Sequence, residues 1–280
     1  MNIKWKDGRK FALCLTHDVD RIKKQWYHYI YYGLKGDLIN QKKSLFKRCK
    51  GIEPYNNFKD IMELEESLGV RSTFFFMDEK HKELDLNFWG RYKMDTPAVV
   101  EQIKELDRNG WEVGLHGSYY SFQDEEMLKS EKKLLESILM HDVVSVRQHH
   151  LNWNKNTWSY QKKCGLKYDS TVGSTKAVMR DGLQGPYYTK EGMLEFPISV
   201  MDKVFHRNFN ETRSQTLLLL EETCKRGGIF VLDFHQCYLQ EEYNPVLIFY
   251  KQFIKEAISM GAWIPTMKEL GTFFEEDKNG

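Results

Sequence analysis

Two aspartates lie two positions apart, just after the first apolar run of the chain. Asp18 and Asp20 belong to the sequence HDVD at 17–20, and the apolar run FALCLT occupies 11–16. Because side chains alternate along an extended strand, both carboxylates are expected on the same side. Carboxylates that close repel each other, and a divalent metal ion or a shared proton relieves the repulsion. The alternative is a helix cap in which Asp20 pairs with Arg21.

Three other apolar runs end in side chains that can bind a metal or transfer a proton. His116 follows WEVGL, Arg147 and His149 follow VVSV, and His235 follows IFVLDF. An imidazole binds divalent metals or shuttles protons, and a guanidinium can orient a carboxylate through two hydrogen bonds. The position of His235 suits a general acid. Taken singly, each of these residues also fits a structural role or a polar loop.

The segments between these runs predict helices. Apolar residues recur at helical spacing in 58–68 and 98–108, and further helices are predicted over 130–140, 212–225 and 246–260. Short strands that alternate with helices indicate an α/β fold with a parallel sheet covered on both faces. In such folds the active site is built at the carboxyl ends of the strands. Without a linker or an internal repeat, a single domain over 1–280 is predicted.

A basic, aromatic segment at about 21–57 departs from this alternation. Residues 21–50 hold nine Lys or Arg side chains and one acid, Asp37, together with the run WYHYIYY at 26–32. This segment is predicted to be an insertion after the first strand. Its surface could meet an anionic lipid headgroup at the membrane periphery, a phosphorylated carrier or a sugar. The competing interpretation is a solvated helical hairpin whose aromatic residues pack on the rim of the fold.

Composition excludes several classes of protein. The 280 residues include 41 basic and 40 acidic side chains, a balance that argues against a nucleic-acid binder. No apolar stretch is long enough for a transmembrane helix, and the first ten residues lack the apolar core of a secretion signal. Five cysteines without CxxC spacing argue against a disulfide framework and fit a reducing compartment. A cytoplasmic location is therefore expected.

The order of the motifs resembles the polysaccharide deacetylases of the NodB-homology group, which are related to carbohydrate esterase family 4. The segments that carry the resemblance are VRSTFFF at 70–76, IKELDRNGWEVGLH at 103–116, GLKYDST at 165–171, EFP at 195–197 and PTMKEL at 265–270. Each is short, but together they run in the family's order from about residue 11 to 274. The resemblance implies a distorted (β/α)7-type barrel that uses a divalent metal to hydrolyse the N-acetyl amide of a sugar.

The resemblance also implies roles for individual residues. Asp18 corresponds to the catalytic base, Arg147 to the arginine that positions the base, and His235 to the general acid. His116 corresponds to the first histidine ligand of the metal. The implied metal is Zn²⁺, with Co²⁺, Ni²⁺ or Mn²⁺ as alternatives.

Three positions depart from the family pattern. Val19 stands where the family has a metal-binding aspartate next to the base. Tyr120 stands where the second metal histidine is expected, and His149 where the Arg-x-Pro motif has its proline. The departures predict a shifted metal site formed by Asp20, His116 and His149.

The predicted function is the removal of an N-acetyl group from an amino sugar or a glycan precursor of the cell surface. Aromatic side chains near the site are predicted to contact the sugar: Tyr119, Tyr120 and Trp153. Within the site, His17 could replace one ligand, Asp18 and Asp20 could exchange roles, or the site could lack a metal. Two alternative functions stay open. One is hydrolysis of another non-peptide C–N bond, as in a ureide or cyclic imide, and the other is glycan binding by a barrel that lost its metal.

Overall fold

The structure is a computed structural model that describes residues 3–34, 38–79, 90–174, 185–205, 208–240 and 245–279. Its strands are β1 (Phe11–Val19), β2 (Thr73–Phe76), β3 (Glu112–Gly117), β4 (Ser145–Gln148), β5 (Tyr168–Asp169), β6 (Tyr187–Tyr188), β7 (Leu194–Glu195), β8 (Val200–Met201), β9 (Ile229–Asp233) and β10 (Ala262–Trp263). Its helices are α1 (Trp26–Leu34), α2 (Leu38–Cys49), α3 (Phe58–Ser67), α4 (Pro97–Arg108), α5 (Glu125–Leu139), α6 (Thr157–Lys163), α7 (Phe209–Arg226), α8 (Pro245–Ser259) and α9 (Met267–Asn279).

The strands form one sheet in the order β6-β7-β5-β4-β3-β2-β1-β9-β8, with β10 also paired to β1. Among the described strands, β6 and β7 pair antiparallel and every other pair is parallel. The sheet curls as a half-barrel, which confirms the predicted α/β class and its distorted (β/α)7-type barrel. A parallel sheet brings the carboxyl ends of its strands to one edge, where the chemistry is expected.

Side-chain alternation along β1 separates two cores. All nine residues of β1 are buried. Leu13 and Leu15 face the outer layer of helices, while Ala12 and Cys14 face the inside of the curl. The inner core is closed by α9, whose residues 267, 270 and 273 pack there. Because the period of a strand is two, the residues that follow on the inner side are Thr16 and Asp18.

Two helices begin several residues before the positions predicted from apolar spacing. Asp124 accepts a hydrogen bond from the Met127 N–H and starts α5, whose predicted start was 130. Asn208 accepts a hydrogen bond from the Glu211 N–H and starts α7, whose predicted start was 212. In both cases a capping side chain satisfies a backbone donor of the first turn, a hydrogen bond that apolar periodicity does not mark.

The predicted insertion contains two helices, α1 and α2, which contact each other. Within the described ranges, no helix combines the length and the apolar content that a crossing of the bilayer requires.

Candidate metal centre and active site

The register of the sheet brings the predicted site residues together. His116 of β3 pairs with Arg147 of β4, and Thr16 of β1 pairs with Asp233 of β9. Gly117 of β3 makes room for the side chain of its partner in β4, because a Cβ there would lie 2.2 Å from Oε1 of Gln148. Five neighbouring strands, β4-β3-β2-β1-β9, therefore contribute one polar edge.

Three predicted ligand atoms converge at this edge. Nε2 of His116 lies 3.1 Å from Nδ1 of His149 and 3.4 Å from Oδ1 of Asp20, and Nδ1 of His149 lies 3.2 Å from the same oxygen. All three side chains are buried. Ligands held about 2.0–2.1 Å from a tetrahedral zinc ion lie about 3.3 Å from one another, so the separations match such a centre.

The hydrogen bonds around the three ligand atoms also leave them available to bind a cation. Nδ1 of His116 lies 2.9 Å from the carbonyl oxygen of Arg147 and donates to it, so Nε2 presents its lone pair to the cluster. In the part of the chain that the structure describes, no donor is directed at the buried Oδ1 of Asp20. A buried carboxylate oxygen beside two imidazole nitrogens is satisfied by a divalent metal ion.

Charge and burial keep these ligands in their metal-binding forms. Burial opposes ionisation of Asp20, but Arg91, 2.9 Å from its Oδ2, and the two histidines outweigh burial, so its pKa lies well below the usual range. Burial lowers the pKa of His149 well below that of a free imidazole and keeps the ring neutral. A carboxylate and a neutral imidazole are the forms that bind a metal.

Asp18 lies next to this cluster and is held by Arg147. Its Oδ1 accepts a hydrogen bond of 2.9 Å from Nη1 of Arg147, and its Oδ2 lies 3.8 Å from Nε2 of His116. The same Nη1 contacts Asp233 at 2.8 Å and the Thr16 hydroxyl at 2.9 Å. The guanidinium therefore does not fork onto Asp18 alone, but bridges two carboxylates. Its other nitrogens donate to the main chain and hydroxyl of Ser170, which fixes its plane.

The two carboxyl groups beside Arg147, those of Asp18 and Asp233, have very different pKa values. Burial opposes ionisation of Asp18, but Arg147 and the nearby histidines outweigh it and lower its pKa to about 2. Burial and the charge of Asp18 raise the pKa of Asp233 to about 7. Asp18 is therefore the ionised member of the pair across the neutral range.

His235 is oriented by Asp202, a residue that the sequence analysis did not identify. The ring atom Nδ1 of His235 lies 3.0 Å from Oδ1 of Asp202. The main-chain N–H of His235 donates to Oδ2 of the same carboxylate at 2.6 Å. Burial lowers the pKa of His235, but Asp202 outweighs it and raises the value to about 9. Nε2, on the other side of the ring, lies 3.7 Å from Oδ2 of Asp20. The protonated Nε2 is thus directed toward the cluster.

The predicted sugar-contacting residues occupy different places. Tyr119 is half-buried with its ring centroid 6.5 Å from that of His149, and Tyr120 packs edge-on against it at 5.0 Å. Trp153 is 45% exposed and packs on Trp158, 5.0 Å between centroids. Tyr119 thus borders the metal cluster, and Tyr120 packs against Tyr119. That these two residues and Trp153 contact the sugar stays a prediction.

The alternative in which His17 binds the metal is wrong. His17 alternates with Asp18 and points to the outer layer, where Nδ1 donates to the carbonyl of Phe234 at 2.8 Å. Its Nε2 lies 2.9 Å from Oε1 of Glu65. The Tyr250 hydroxyl donates to the same oxygen, and Nε1 of Trp111 donates to Oε2. The reason is the period of the strand, which sends neighbouring residues to opposite faces.

Besides Asp202, two further residues of the site, Arg91 and Asp233, were not predicted from the sequence. Asp202 comes directly after β8, at the end of the apolar run ISVM (198–201). Asp18 and His235 also lie at the ends of their strands, so this position was a usable signal. Asp233 was visible as a polar residue inside an apolar strand. Arg91 belongs to no helix or strand, and nothing in its local sequence indicates that it contacts Asp20.

A buried carboxyl group behind β3 predicts a pH effect on stability. Oε2 of Glu131 accepts from the Ser118 N–H and Oε1 from the Ser118 hydroxyl. Burial, with smaller contributions from Glu79 and Asp78, raises its pKa to about 8. The folded protein therefore keeps a proton that the unfolded chain loses above its ordinary pKa of about 4.3, and stability falls as pH rises from there to about 8.

Glu131→Gln is expected to remove this loss, because glutamine reproduces the protonated form. At pH 9 the variant should be more stable than the wild type by on the order of a few kcal/mol, and at pH 4 the two should be alike. Urea unfolding at both pH values measures the difference. Glu126→Gln, at an exposed position of α5, is the control. A wild-type advantage at pH 9 would contradict the prediction.

Comparison with known proteins identifies a family and a fold. The sequence profile of the WbmS-like polysaccharide deacetylases matches residues 95–252. The chain is similar in structure to a protein from Mycobacterium smegmatis assigned as a polysaccharide deacetylase, with TM-score 0.68, 19% identity and coverage of 99% of this chain and 94% of that one. A comparison with curated proteins found no match.

Two further solved structures have a similar fold. One, from Bordetella bronchiseptica, is assigned as a polysaccharide deacetylase involved in O-antigen biosynthesis, with TM-score 0.50, 18% identity and coverage of 93% and 86% of the two chains. The other is the 4-α-glucanotransferase of Thermococcus litoralis, with TM-score 0.55, 14% identity and coverage of 95% and 38%. At these identities the likeness concerns the fold.

Proposed function

The chain belongs to the WbmS-like polysaccharide deacetylases, and from this premise we propose that it is a metal-dependent hydrolase of an N-acetyl group on an amino sugar of a cell-surface glycan. One observation carries the proposal. A cluster suited to a divalent metal, Asp20 with His116 and His149, lies within 3.8 Å of the ionised Asp18 and within 3.7 Å of the protonated His235. Metal-assisted hydrolysis of an amide combines a Lewis acid, a base and an acid at one carbonyl.

Asp20, His116 and His149 are the residues that would hold the metal. The chemistry that such an ion supplies when bound is Lewis acidity toward the amide carbonyl and toward a water molecule. Zn²⁺ suits one carboxylate and two imidazoles, and Co²⁺, Ni²⁺ or Mn²⁺ accept the same donors.

The remaining residues move protons. Asp18 accepts a proton from the attacking water, and Arg147 holds its carboxylate in place through Oδ1, which leaves Oδ2 turned toward His116. His235 donates the proton of Nε2 to the sugar nitrogen as the C–N bond breaks, because Asp202 engages Nδ1. One water and one amide yield acetate and a free amino group, and Asp18 and His235 exchange protons with solvent to begin the next cycle.

Removal of the metal tests the proposal. Protein treated with dipicolinate is expected to release acetate from N-acetylglucosamine oligomers at least about a thousandfold more slowly than Zn²⁺-loaded protein, because the Lewis acid contributes several kcal/mol to the transition state. Addition of Zn²⁺ or Co²⁺ should restore the rate. Acetate and free amine are measured together, so that they must appear in equal amounts.

Two results would overturn the proposal. Acetate release that survives complete chelation would remove the metal from the reaction. A metal-loaded protein that binds acetylated oligosaccharides and releases no acetate from any of them would favour the glycan-binding alternative.

A further inference from the structure

The helices α1 and α2 expose an unusual amount of apolar surface. In the described part of the chain, fifteen large hydrophobic side chains are exposed, and nine of them lie between residues 26 and 52. Eight of the nine lie on the two helices, and Ile52 follows α2: Trp26, Ile30, Tyr31, Leu34, Leu38, Ile39, Leu45, Phe46 and Ile52. Side chains at 26, 30 and 34 share one face of α1, since residues four apart are neighbours on a helix. A contiguous exposed apolar surface marks an interaction site.

The excess of positive charge in this stretch lies on α2 and not on α1. Lys42, Lys43, Lys47 and Arg48 belong to α2 and Lys50 follows it, whereas α1 holds no Lys or Arg. Residues 21–50 contain nine basic side chains and one acidic side chain, whereas the whole chain has a net charge of +1. On α2 the exposed face interleaves the two kinds of residue, because Lys42 follows Leu38 by four positions and Lys43 follows Ile39 by four. Nζ of Lys50 lies 4.3 Å above the Phe46 ring. Ammonium groups and apolar side chains thus share one surface.

We propose that α1 and α2 form a docking surface for an anionic lipid bilayer. A bilayer surface accommodates both components, because apolar side chains enter the acyl boundary while lysine ammonium groups reach the lipid phosphates. A second copy of this chain would instead bring like-charged lysines together. A negatively charged, apolar, deformable surface is the partner whose chemistry complements this one.

The docking surface is joined to the candidate active site. The chain runs from Asp20 to Trp26 in six residues, and Arg91, which pairs with Asp20, follows Gly90. Gly90 packs so closely on the start of α1 that a Cβ there would lie 2.9 Å from Cγ of Gln25. Gln236, next to His235, donates to the carbonyl of Arg21. Docking therefore brings the catalytic edge to the bilayer, and the inferred substrate, which rests on the proposed function, is an acetylated glycan carried on a membrane lipid.

Vesicle co-sedimentation tests the docking surface directly. The wild type is expected to sediment with vesicles of phosphatidylcholine and phosphatidylglycerol in a two-to-one ratio and to stay in solution with phosphatidylcholine alone. Binding should weaken in high salt, because the Debye length falls from about 10 Å at 0.1 M to about 3 Å at 1 M. The double variant Leu34→Glu/Ile39→Glu should bind at least about tenfold more weakly, since it puts two charges into the apolar contact.

Leu218→Glu is the matched control, because Leu218 is an exposed leucine of α7, outside the docking surface. It should bind as the wild type does, and thermal unfolding should show that all variants fold. Wild-type protein that ignores the anionic vesicles, or a double variant that binds them unchanged, would overturn the inference. So would a wild-type dimer that becomes monomeric in the double variant without any vesicle binding.

An activity measurement separates this inference from the proposed function. The double variant should release acetate from soluble N-acetylglucosamine oligomers at the wild-type rate, but more slowly from a vesicle-embedded lipid that carries N-acetylglucosamine. Vesicle binding without acetate release from either substrate would refute the proposed function and leave the docking surface intact. Acetate release without vesicle binding would refute the docking surface and leave the proposed function intact.

Discussion

Asp18→Asn is expected to lower the rate of acetate release by about 10²–10⁴-fold, the range that a general base contributes. Asparagine keeps the size of the side chain and an oxygen that can accept from Arg147, but it cannot take a proton from water. Because the ligand atoms belong to other residues, the variant should still bind one metal ion per chain. The measurements are kcat for acetate release and the metal content of the same preparation.

Two further variants are compared with Asp18→Asn. Asp142→Asn, at an exposed position, should leave both quantities unchanged. Asp20→Asn should lose the metal as well as the activity. The converse result, metal lost from Asp18→Asn and kept by Asp20→Asn, would show that the two aspartates exchange roles. An Asp18→Asn enzyme within about threefold of the wild-type kcat would place the base elsewhere, since even a weak general base contributes more.

His149→Ala is expected to raise the dissociation constant for Zn²⁺ by at least about 100-fold, since loss of even an outer partner of a ligand costs 10- to 100-fold. Nδ1 of His149 is one corner of the ligand triangle, and alanine leaves only Asp20 and Nε2 of His116. Calorimetric titration measures the affinity. Thermal unfolding gives a second readout that needs no substrate, because a ligand at 100 times its dissociation constant stabilises the folded state by about 2.7 kcal/mol.

The adjacent histidine provides the matched control. His150 is exposed and has a left-handed backbone with φ of 58°, a conformation that asparagine tolerates well. His150→Asn should therefore bind Zn²⁺ as the wild type does and gain the same thermal stability from it. Equal Zn²⁺ affinity in His149→Ala and the wild type would exclude the shifted metal site.

Much of the fold was predictable because its signals are local. Short apolar runs alternate along the chain with segments whose apolar residues recur at helical spacing. This pattern predicted the α/β class and the parallel sheet, and the structure confirms both. The helices α5 and α7 begin earlier than apolar spacing predicts, since their first turns depend on the capping side chains of Asp124 and Asn208. A cap is one hydrogen bond, which leaves little trace in an apolar pattern.

The local sequence shows which residues capable of chemistry lie at the ends of the strands. A period of two put Asp18 on the inner side, and parallel strands put His116, Arg147 and His235 at the same edge. The partners of these residues depend on the tertiary structure. Asp202 orients the ring of His235, Arg91 forms an ion pair with Asp20, and Arg147 bridges the carboxylates of Asp18 and Asp233. Those contacts join residues from 33 to 129 positions apart, and the distances between such residues depend on how the sheet curls, which no local pattern encodes.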